Sequence, residues 1–354
     1  MQCLGFDLGH SCLGRLLFVG AVAAQLALSG RIANADEGGV SFWLPGQVGS
    51  LAAAPSTPGW TLDTVYYHTS VAASGSVSAS RQIAIGNLPA NANVSLNANL
   101  SARADQVILA PTYAFANSVL GGQLAIGMAG SFSRVDARLD GTLTAQLGSV
   151  TATRTGTILD SFTSVGDLSP IVTLKWGQGV HNWVIYGTGD IPVGAYDRGR
   201  LSNIGIGHGA VDGGGGYTYF NSATGREFSA VAGFTYNFEN QQTKYQNGID
   251  FHFDWGASQY LSKQLFIGLV GYAYQQVTAD SGQHPILGPF RSRVIGIGPQ
   301  IGYIFPIGKM QGSLNLRGYG EFLAAHRASG WNTFLTFEIS GATPEMPTRH
   351  TLAK

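Results

Sequence analysis

The stretch EFSAVAGFTYNFE (227–239) alternates aromatic or small apolar side chains with polar ones, and IDFHFDWGASQ (249–259) repeats the pattern. Successive side chains of a β-strand point to opposite faces, so each stretch predicts a strand with one apolar and one polar face. Both runs exceed the roughly five or six residues of an ordinary strand. Strands of this length and alternation are typical of membrane-spanning β-barrels, whose apolar face contacts lipid.

Period-two alternation also occurs along the rest of the chain, most clearly in 313–322 and 331–339. The fold class predicted is therefore all-β, an antiparallel transmembrane β-barrel of about twelve strands, an even number as in single-chain bacterial barrels. The predicted strands are 60–70, 104–115, 123–140, 165–176, 181–193, 211–220, 226–238, 248–260, 265–278, 291–305, 310–326 and 331–339.

The predicted connections alternate in length, with short turns opposite long loops at 71–103, 141–164, 194–210 and 279–290. Short periplasmic turns and longer outer loops are the usual asymmetry of outer-membrane barrels. Aromatic residues flank the short turns, as expected for a girdle at the periplasmic membrane boundary. They are Trp176, Trp183, Phe220, Phe228, Tyr260, Phe266 and Phe305.

The composition favours a membrane barrel over a soluble protein. Of 354 residues, 50 are Gly and only 11% are charged, whereas about 25% charged residues are usual in soluble domains. The formal net charge is zero, so nothing predicts a nucleic-acid partner. The partners expected are outer-membrane lipid, the barrel-insertion machinery and small hydrophobic or aromatic molecules.

The N-terminal residues 1–35 are predicted to be a signal peptide removed on export. Arg15 precedes an apolar run from Leu16 to Leu28, and Ala33-Asn34-Ala35 provides a cleavage pattern. The run is shorter than the roughly 20 residues of a membrane-spanning helix. Both cysteines, Cys3 and Cys12, lie in this segment, so the mature chain would lack thiols.

Three further segments are predicted, with the mature protein located in the outer membrane. Residues 36–59 are rich in Gly, Pro and small side chains and would either plug the barrel lumen or form a flexible periplasmic tail. Residues 60–339 would form the barrel, and 340–354 a C-terminal tail.

Strand parity places a set of polar and aromatic side chains on the predicted inner face. Buried in a narrow lumen, charged groups need partners. They could form a cross-lumen network that holds the N-terminal segment, or a polar lining along a substrate path, and both interpretations stay open. The candidate lumen-lining residues are Lys175, Asp250, His252, Asp254, Arg317, Tyr319, Glu321, Phe334 and Glu338.

The sequence predicts no cofactor, no metal site and no catalytic residues. Gly205–Ala210 matches a dinucleotide-binding pattern, but four glycines follow where a helix is needed. Asp250, His252 and Asp254 share one strand face and could form a metal-ligand trio, although a polar lumen is the preferred interpretation. His326 and Ser329 suggest a lipid-acting hydrolase as the alternative from another class, without a third orienting group.

Several stretches resemble a known family of exported barrel proteins. They are EGGVSFWLPGQVGSLAAAPSTPGW (37–60), DLSPIVTLKW (167–176), NWVIYGTGDIPVGAYD (182–197), LGPFRSRVIGIGPQIGYIFP (287–306) and WNTFLTFEIS (331–340). The family is described as meta-pathway phenol-degradation proteins and is linked to uptake of aromatic compounds. The resemblance implies passive entry of small hydrophobic or aromatic molecules through the lumen or a lateral opening. It supplies no catalytic residues, and a structural barrel without transport is a second interpretation that stays open.

Overall fold

A computed structural model describes residues 42–74, 93–147, 150–282 and 291–341. Twelve antiparallel strands form a closed barrel, as predicted. They are β1 (Gly59–Ser74), β2 (Asn93–Val119), β3 (Gly122–Leu147), β4 (Val150–Gln178), β5 (His181–Asp190), β6 (Ala210–Asn221), β7 (Arg226–Asn237), β9 (Asp250–Tyr260), β10 (Leu265–Gln276), β12 (Arg293–Ile307), β13 (Met310–Ala325) and β14 (Ser329–Ser340). The short strands β8 (Tyr245–Gln246) and β11 (Ser281–Gly282) pair with each other outside the barrel. The predicted signal peptide and most of the predicted C-terminal tail lie outside the described residues.

The barrel closes where the first strand meets the last. β1 and β14 pair in antiparallel register, with Tyr66 opposite Leu335, and β1 also pairs with β2. Closure gives every barrel strand two hydrogen-bonded neighbours, which removes the exposed edges of an open sheet. Within the described part of the chain, no helix has the length and apolar character needed to span a membrane.

The barrel has a polar interior and an apolar exterior. On β7, Glu227 and Thr235 are buried, whereas Phe228 and Phe234 are 41% and 54% exposed. A water-soluble barrel would bury the aromatic side chains instead. The alternation predicted from 227–239 is therefore confirmed, with its apolar face directed outward.

The predicted aromatic girdle is only partly correct. Trp183 and Phe228 are exposed on the outer surface, but three other rings lie on the inner side of the turns. Tyr260 contacts Phe220 and Phe266 with centroid distances of 5.2 and 5.0 Å. Position beside a turn gives no information on which face each ring takes.

Two of the predicted long loops are wrong, because β2, β3 and β4 extend well beyond the rest of the barrel. β3 continues to Leu147 and β4 begins at Val150, so 141–164 is mostly strand. Likewise, β2 already begins at Asn93 within the predicted loop 71–103. This extension keeps the period of two but reverses its sense: its outward side chains are polar, whereas Ala98 and Leu139 are buried on the inner face. It is held by backbone ladders.

Residues 191–209, between β5 and β6, pack against the inward-facing side of β4. Asp167 accepts hydrogen bonds from the backbone N–H groups of Gly194 and Ile206 at 2.7 and 2.8 Å. Asp160 accepts two more from Leu201 and Ser202, each at 3.0 Å. Although partial burial disfavours its charge, these donors hold the pKa of Asp160 below its usual range. The predicted loop is thus fixed by two carboxylates.

Candidate functional site

Residues 42–58, called here the N-terminal segment, lie against the buried side chains of the barrel wall. Asp254, on β9, accepts hydrogen bonds from the backbone N–H groups of Gly46 at 3.0 Å and Val48 at 3.2 Å. On β13, Tyr319 donates to the carbonyl of Gly46 and Arg317 to that of Gln47, both at 3.0 Å. Three predicted lumen residues therefore hold one short backbone stretch from two sides.

The rest of the segment is held by other strands. Ala53 N donates to Thr218 Oγ1 at 3.0 Å, and Lys175 donates to the carbonyl of Ala54 at 3.1 Å. Leu51 N donates to Glu227 at 2.9 Å. Buried backbone groups need such partners in the absence of secondary structure. The wall supplies them side chain by side chain, so the segment has one preferred placement.

A pair of serines marks the middle of the segment. The Oγ atoms of Ser50 and Ser258 lie 2.7 Å apart. Gln300, on β12, donates to both hydroxyls at 2.8 Å. These side-chain hydrogen bonds join the N-terminal segment to β9 and β12.

Two glycines of the segment allow its close approach to the wall. Gly46 has φ of +86°, and a Cβ there would lie 2.8 Å from the Tyr272 ring. At Gly49 a Cβ would lie 2.8 Å from the guanidinium of Arg317. A side chain at either position would therefore displace the group that holds the neighbouring backbone.

A buried stack anchors the start of the segment. The Trp43 ring lies on the His252 ring with centroids 3.8 Å apart and an interplanar angle of 15°. His252 Nε2 lies 2.9 Å from Asp212 Oδ2, and both side chains are almost fully buried. Tyr186 lies 3.3 Å from the same nitrogen, and the absence of a side chain at Gly233 leaves room for its hydroxyl. This cluster joins β5, β6 and β9 to the segment.

The remaining predicted lumen residues contact the wall. Asp250 accepts from Asn237 at 2.8 Å and from Tyr274 at 2.7 Å. Glu321 accepts from Tyr272 at 2.8 Å and from the backbone of Gly330 at 2.8 Å.

An aromatic cluster lies beside these carboxylates. Phe334 is 1% exposed and packs on Tyr67 and Tyr319, with centroids 4.6 and 6.1 Å away. Glu338 is half-buried and lies opposite Asp63 in the β1–β14 register.

The metal interpretation is not favoured by this arrangement. Asp250, His252 and Asp254 contact Asn237, Asp212 and the N-terminal segment respectively. In the part of the chain that the structure describes, no group of three His, Cys, Asp or Glu side chains could hold a metal ion.

The dinucleotide-binding and hydrolase interpretations also lack supporting geometry. In Gly205–Ala210, the N–H of Ile206 donates to the carboxylate of Asp167, which takes the place that a phosphate would need. Ser329 begins β14 instead of lying in the preceding turn, and His326 is exposed with φ of 56°.

Sequence analysis missed several residues that hold the segment. Asp212 lies in the predicted strand 211–220, directly before four glycines, but is not among the predicted lumen residues. Thr218, Glu227 and Ser258 lie on inward positions near the turns, where parity could have identified them. Tyr186 carried no sequence signal that separates an inward from an outward tyrosine.

Comparison with known proteins agrees with this fold. Over residues 85–337 the chain matches the family described as "Putative MetA-pathway of phenol degradation". It is similar to an outer membrane channel from Pseudomonas putida F1, with 13% identity and a TM-score of 0.56 over 83% of this chain and 100% of that one. At this identity the likeness shows the shared barrel fold alone.

Two other solved structures superpose more loosely and add nothing to that conclusion. A Pseudomonas aeruginosa FadL homologue has 9% identity and a TM-score of 0.40, covering 84% of this chain and 94% of its own. The CymD monoaromatic hydrocarbon channel has 9% identity and a TM-score of 0.34, covering 81% and 90%. No curated protein matches the chain.

Proposed function

The chain belongs to the family described as "Putative MetA-pathway of phenol degradation", and from this premise we propose that it is an outer-membrane channel for passive uptake of small hydrophobic or aromatic compounds. The N-terminal segment is its plug. The observation that carries this proposal is that the lumen is occupied by a segment held through side-chain hydrogen bonds and one ring stack. Such contacts can be released without unfolding the barrel.

The wall beneath the segment suits an aromatic cargo. Tyr272, Tyr319 and Phe334 form a buried cluster with Tyr67 packed against it, and Gly46 lies on the rings of Tyr272 and Tyr319. When the segment moves away, these rings become free to pack against a flat apolar molecule. The hydroxyls of the two tyrosines would contact the polar group of a phenol-like molecule.

The polar residues have a second role in this proposal. Lys175, Asp254 and Arg317 bind backbone carbonyl and N–H groups of the segment. After the segment moves away, water would solvate these side chains in the open lumen, so their charges would not be buried without partners. The same residues therefore hold the plug in the closed state and form the polar lining of the path in the open state.

Uptake is tested by growth at limiting substrate. A strain lacking this protein is expected to grow more slowly than its parent on low concentrations of one or more aromatic carbon sources. Growth should return with the wild-type gene and should be equal on succinate, the control for general fitness. Equal growth of both strains across a wide panel of aromatic compounds would refute the uptake role.

A further inference from the structure

A patch of alternating charges lies on the outer face of the long strands β2 and β3. It consists of Arg103, Asp105, Arg134, Asp136, Arg138 and Asp140, called here the charged patch. In the strand register Asp105 lies opposite Arg134, and Arg103 lies opposite Asp136. The side chains of the four β3 members are 40–56% exposed. Opposite charges therefore alternate both along β3 and across to β2.

The charged patch begins where the lipid-facing surface ends. On the same outer face, the positions directly below it are Val107, Leu109, Phe132 and Val165, which are 41–57% exposed. At the corresponding end of β7 the outward side chains Tyr236 and Phe238 are aromatic. The charges are thus concentrated on one side of the barrel, directly above outward apolar side chains.

Stabilisation of the sheet does not account for this concentration. Arg134 makes a bidentate contact with Asp136 at 2.7 and 2.9 Å, and Arg138 makes one with Asp140 at 2.8 and 2.9 Å. Solvent screens exposed pairs of this kind, so they stabilise the sheet little. Arg103 is exposed and lies opposite Asp136 in the β2–β3 register.

A polar pocket lies directly above the arginines on the same face. Its volume is about 340 Å³. The pocket adds a third layer to the outer surface of this hairpin: apolar side chains, then arginines and aspartates, then amides and hydroxyls. Its lining residues are Asn97, Asn99, Asp140, Gly141, Thr142, Thr155, Gly156 and Thr157.

From this order we infer that the charged patch binds the phosphorylated glycolipid of the outer leaflet, lipopolysaccharide. Acyl chains would contact Phe132 and Val165, and the phosphates would contact Arg103, Arg134 and Arg138, whose guanidinium groups suit bidentate phosphate binding. The aspartates would share divalent cations with the phosphates, and the first sugars would enter the pocket. The inference rests on the outer-membrane location proposed above, but not on the transport of any molecule.

Binding of purified lipid A to the full-length protein in detergent with Mg²⁺ tests the inference. Arg134→Ala/Arg138→Ala is expected to weaken binding at least about tenfold, because two charge-assisted contacts are lost. The matched control is Arg154→Ala/Arg226→Ala, which removes the same charge. Arg154 lies on the other face of the β3–β4 hairpin and Arg226 at the opposite end of the barrel, so the control should bind within about twofold of wild type.

Two further measurements identify the ligand. Chelation of Mg²⁺ and removal of the lipid A phosphates should each reduce binding to the wild-type protein. Equal binding by the patch variant and its control, or equal binding of phosphatidylglycerol and lipid A, would overturn the inference. Heat-modifiable migration on gels shows that each variant is folded. Growth on aromatic compounds is measured separately, so that a failure of the lipid-binding inference can be told apart from a failure of the proposed uptake role.

Discussion

The N-terminal segment and residues 191–209 are both irregular, and carboxylates hold both by accepting pairs of backbone N–H groups. Asp254 binds Gly46 and Val48 in the first case, and Asp167 binds Gly194 and Ile206 in the second. The difference is in their tethers. Residues 191–209 join β5 to β6 at both ends, whereas among the residues that the structure describes the N-terminal segment is continuous with the barrel only at β1.

This difference shows that the chain connections at the ends of a segment, more than its hydrogen bonds to carboxylates, decide whether the segment can move out of the barrel. A loop fixed at both ends gains little conformational freedom when its hydrogen bonds to the wall carboxylates break, because the flanking strands still hold its ends together. A segment fixed at one end gains all the freedom of an unfolded chain. The same hydrogen bonds therefore give a fixed loop in one region and a releasable plug in the other.

The largest effect is expected from giving the N-terminal segment a second tether. In Ser50→Cys/Ser258→Cys, two sulfur atoms replace hydroxyls that lie 2.7 Å apart, so a disulfide of about 2.0 Å can form. Oxidation is expected to abolish uptake of an aromatic compound, and a reductant to restore it. The two single-cysteine variants are the controls, because neither can form the bond within one molecule. Uptake that is the same before and after reduction would mean that the plug need not move.

A smaller effect in the opposite direction is expected from Asp254→Ala. Each buried N–H left without an acceptor costs about 1–3 kcal/mol, and about 1.4 kcal/mol is a tenfold change in an equilibrium constant. The reaction of a cysteine placed at Val48 with a maleimide should therefore become at least about tenfold faster. Asp254→Asn keeps one acceptor oxygen, so its reaction rate should lie between those of the wild type and Asp254→Ala. No change in the rate in Asp254→Ala would show that this carboxylate does not hold the segment.

The smallest effect is expected from Asp167→Ala. Asp160 still binds Leu201 and Ser202, and both ends of the loop remain fixed. Trypsin cleavage after Arg198 should increase by no more than about threefold, as for local opening in a loop that stays closed at its ends. Glu239→Ala, which removes an exposed carboxylate, is the control. An increase as large as that caused by Asp254→Ala in the N-terminal segment would remove the distinction between the two regions.

The lower half of the barrel could be predicted because lipid and lumen impose opposite chemistry on alternate residues. The strands around Phe234 and Phe253 were placed to within a few residues for this reason. Where β2, β3 and β4 rise above the apolar surface the contrast is reversed, because the outward side chains are polar and Ala98 and Leu139 are buried on the inner face. Their upper parts were therefore mistaken for loops, although their pairing is regular.

The candidate site was predicted by parity, but its contacts were not. Asp254 and Arg317 are both buried, and strand alternation alone is enough to assign each of them a face. Nothing local to Asp254 indicates that its partner is Gly46, because the pairing depends on the shear and closure of the whole barrel. Asp212 was missed for a different reason: the four glycines that follow it in β6 carry no side chains, so the sequence shows no alternation that assigns its face.

The wide sequence separation of the plug contacts has a consequence for the order of assembly. The N-terminal segment is synthesised before every strand, yet its wall partners follow it by 165 residues at Thr218 and by 273 at Tyr319. Contacts over such distances form late in folding. The segment can thus dock only after most strands are in place. We expect that chains which end before β13 would leave the segment undocked and accessible to periplasmic proteases.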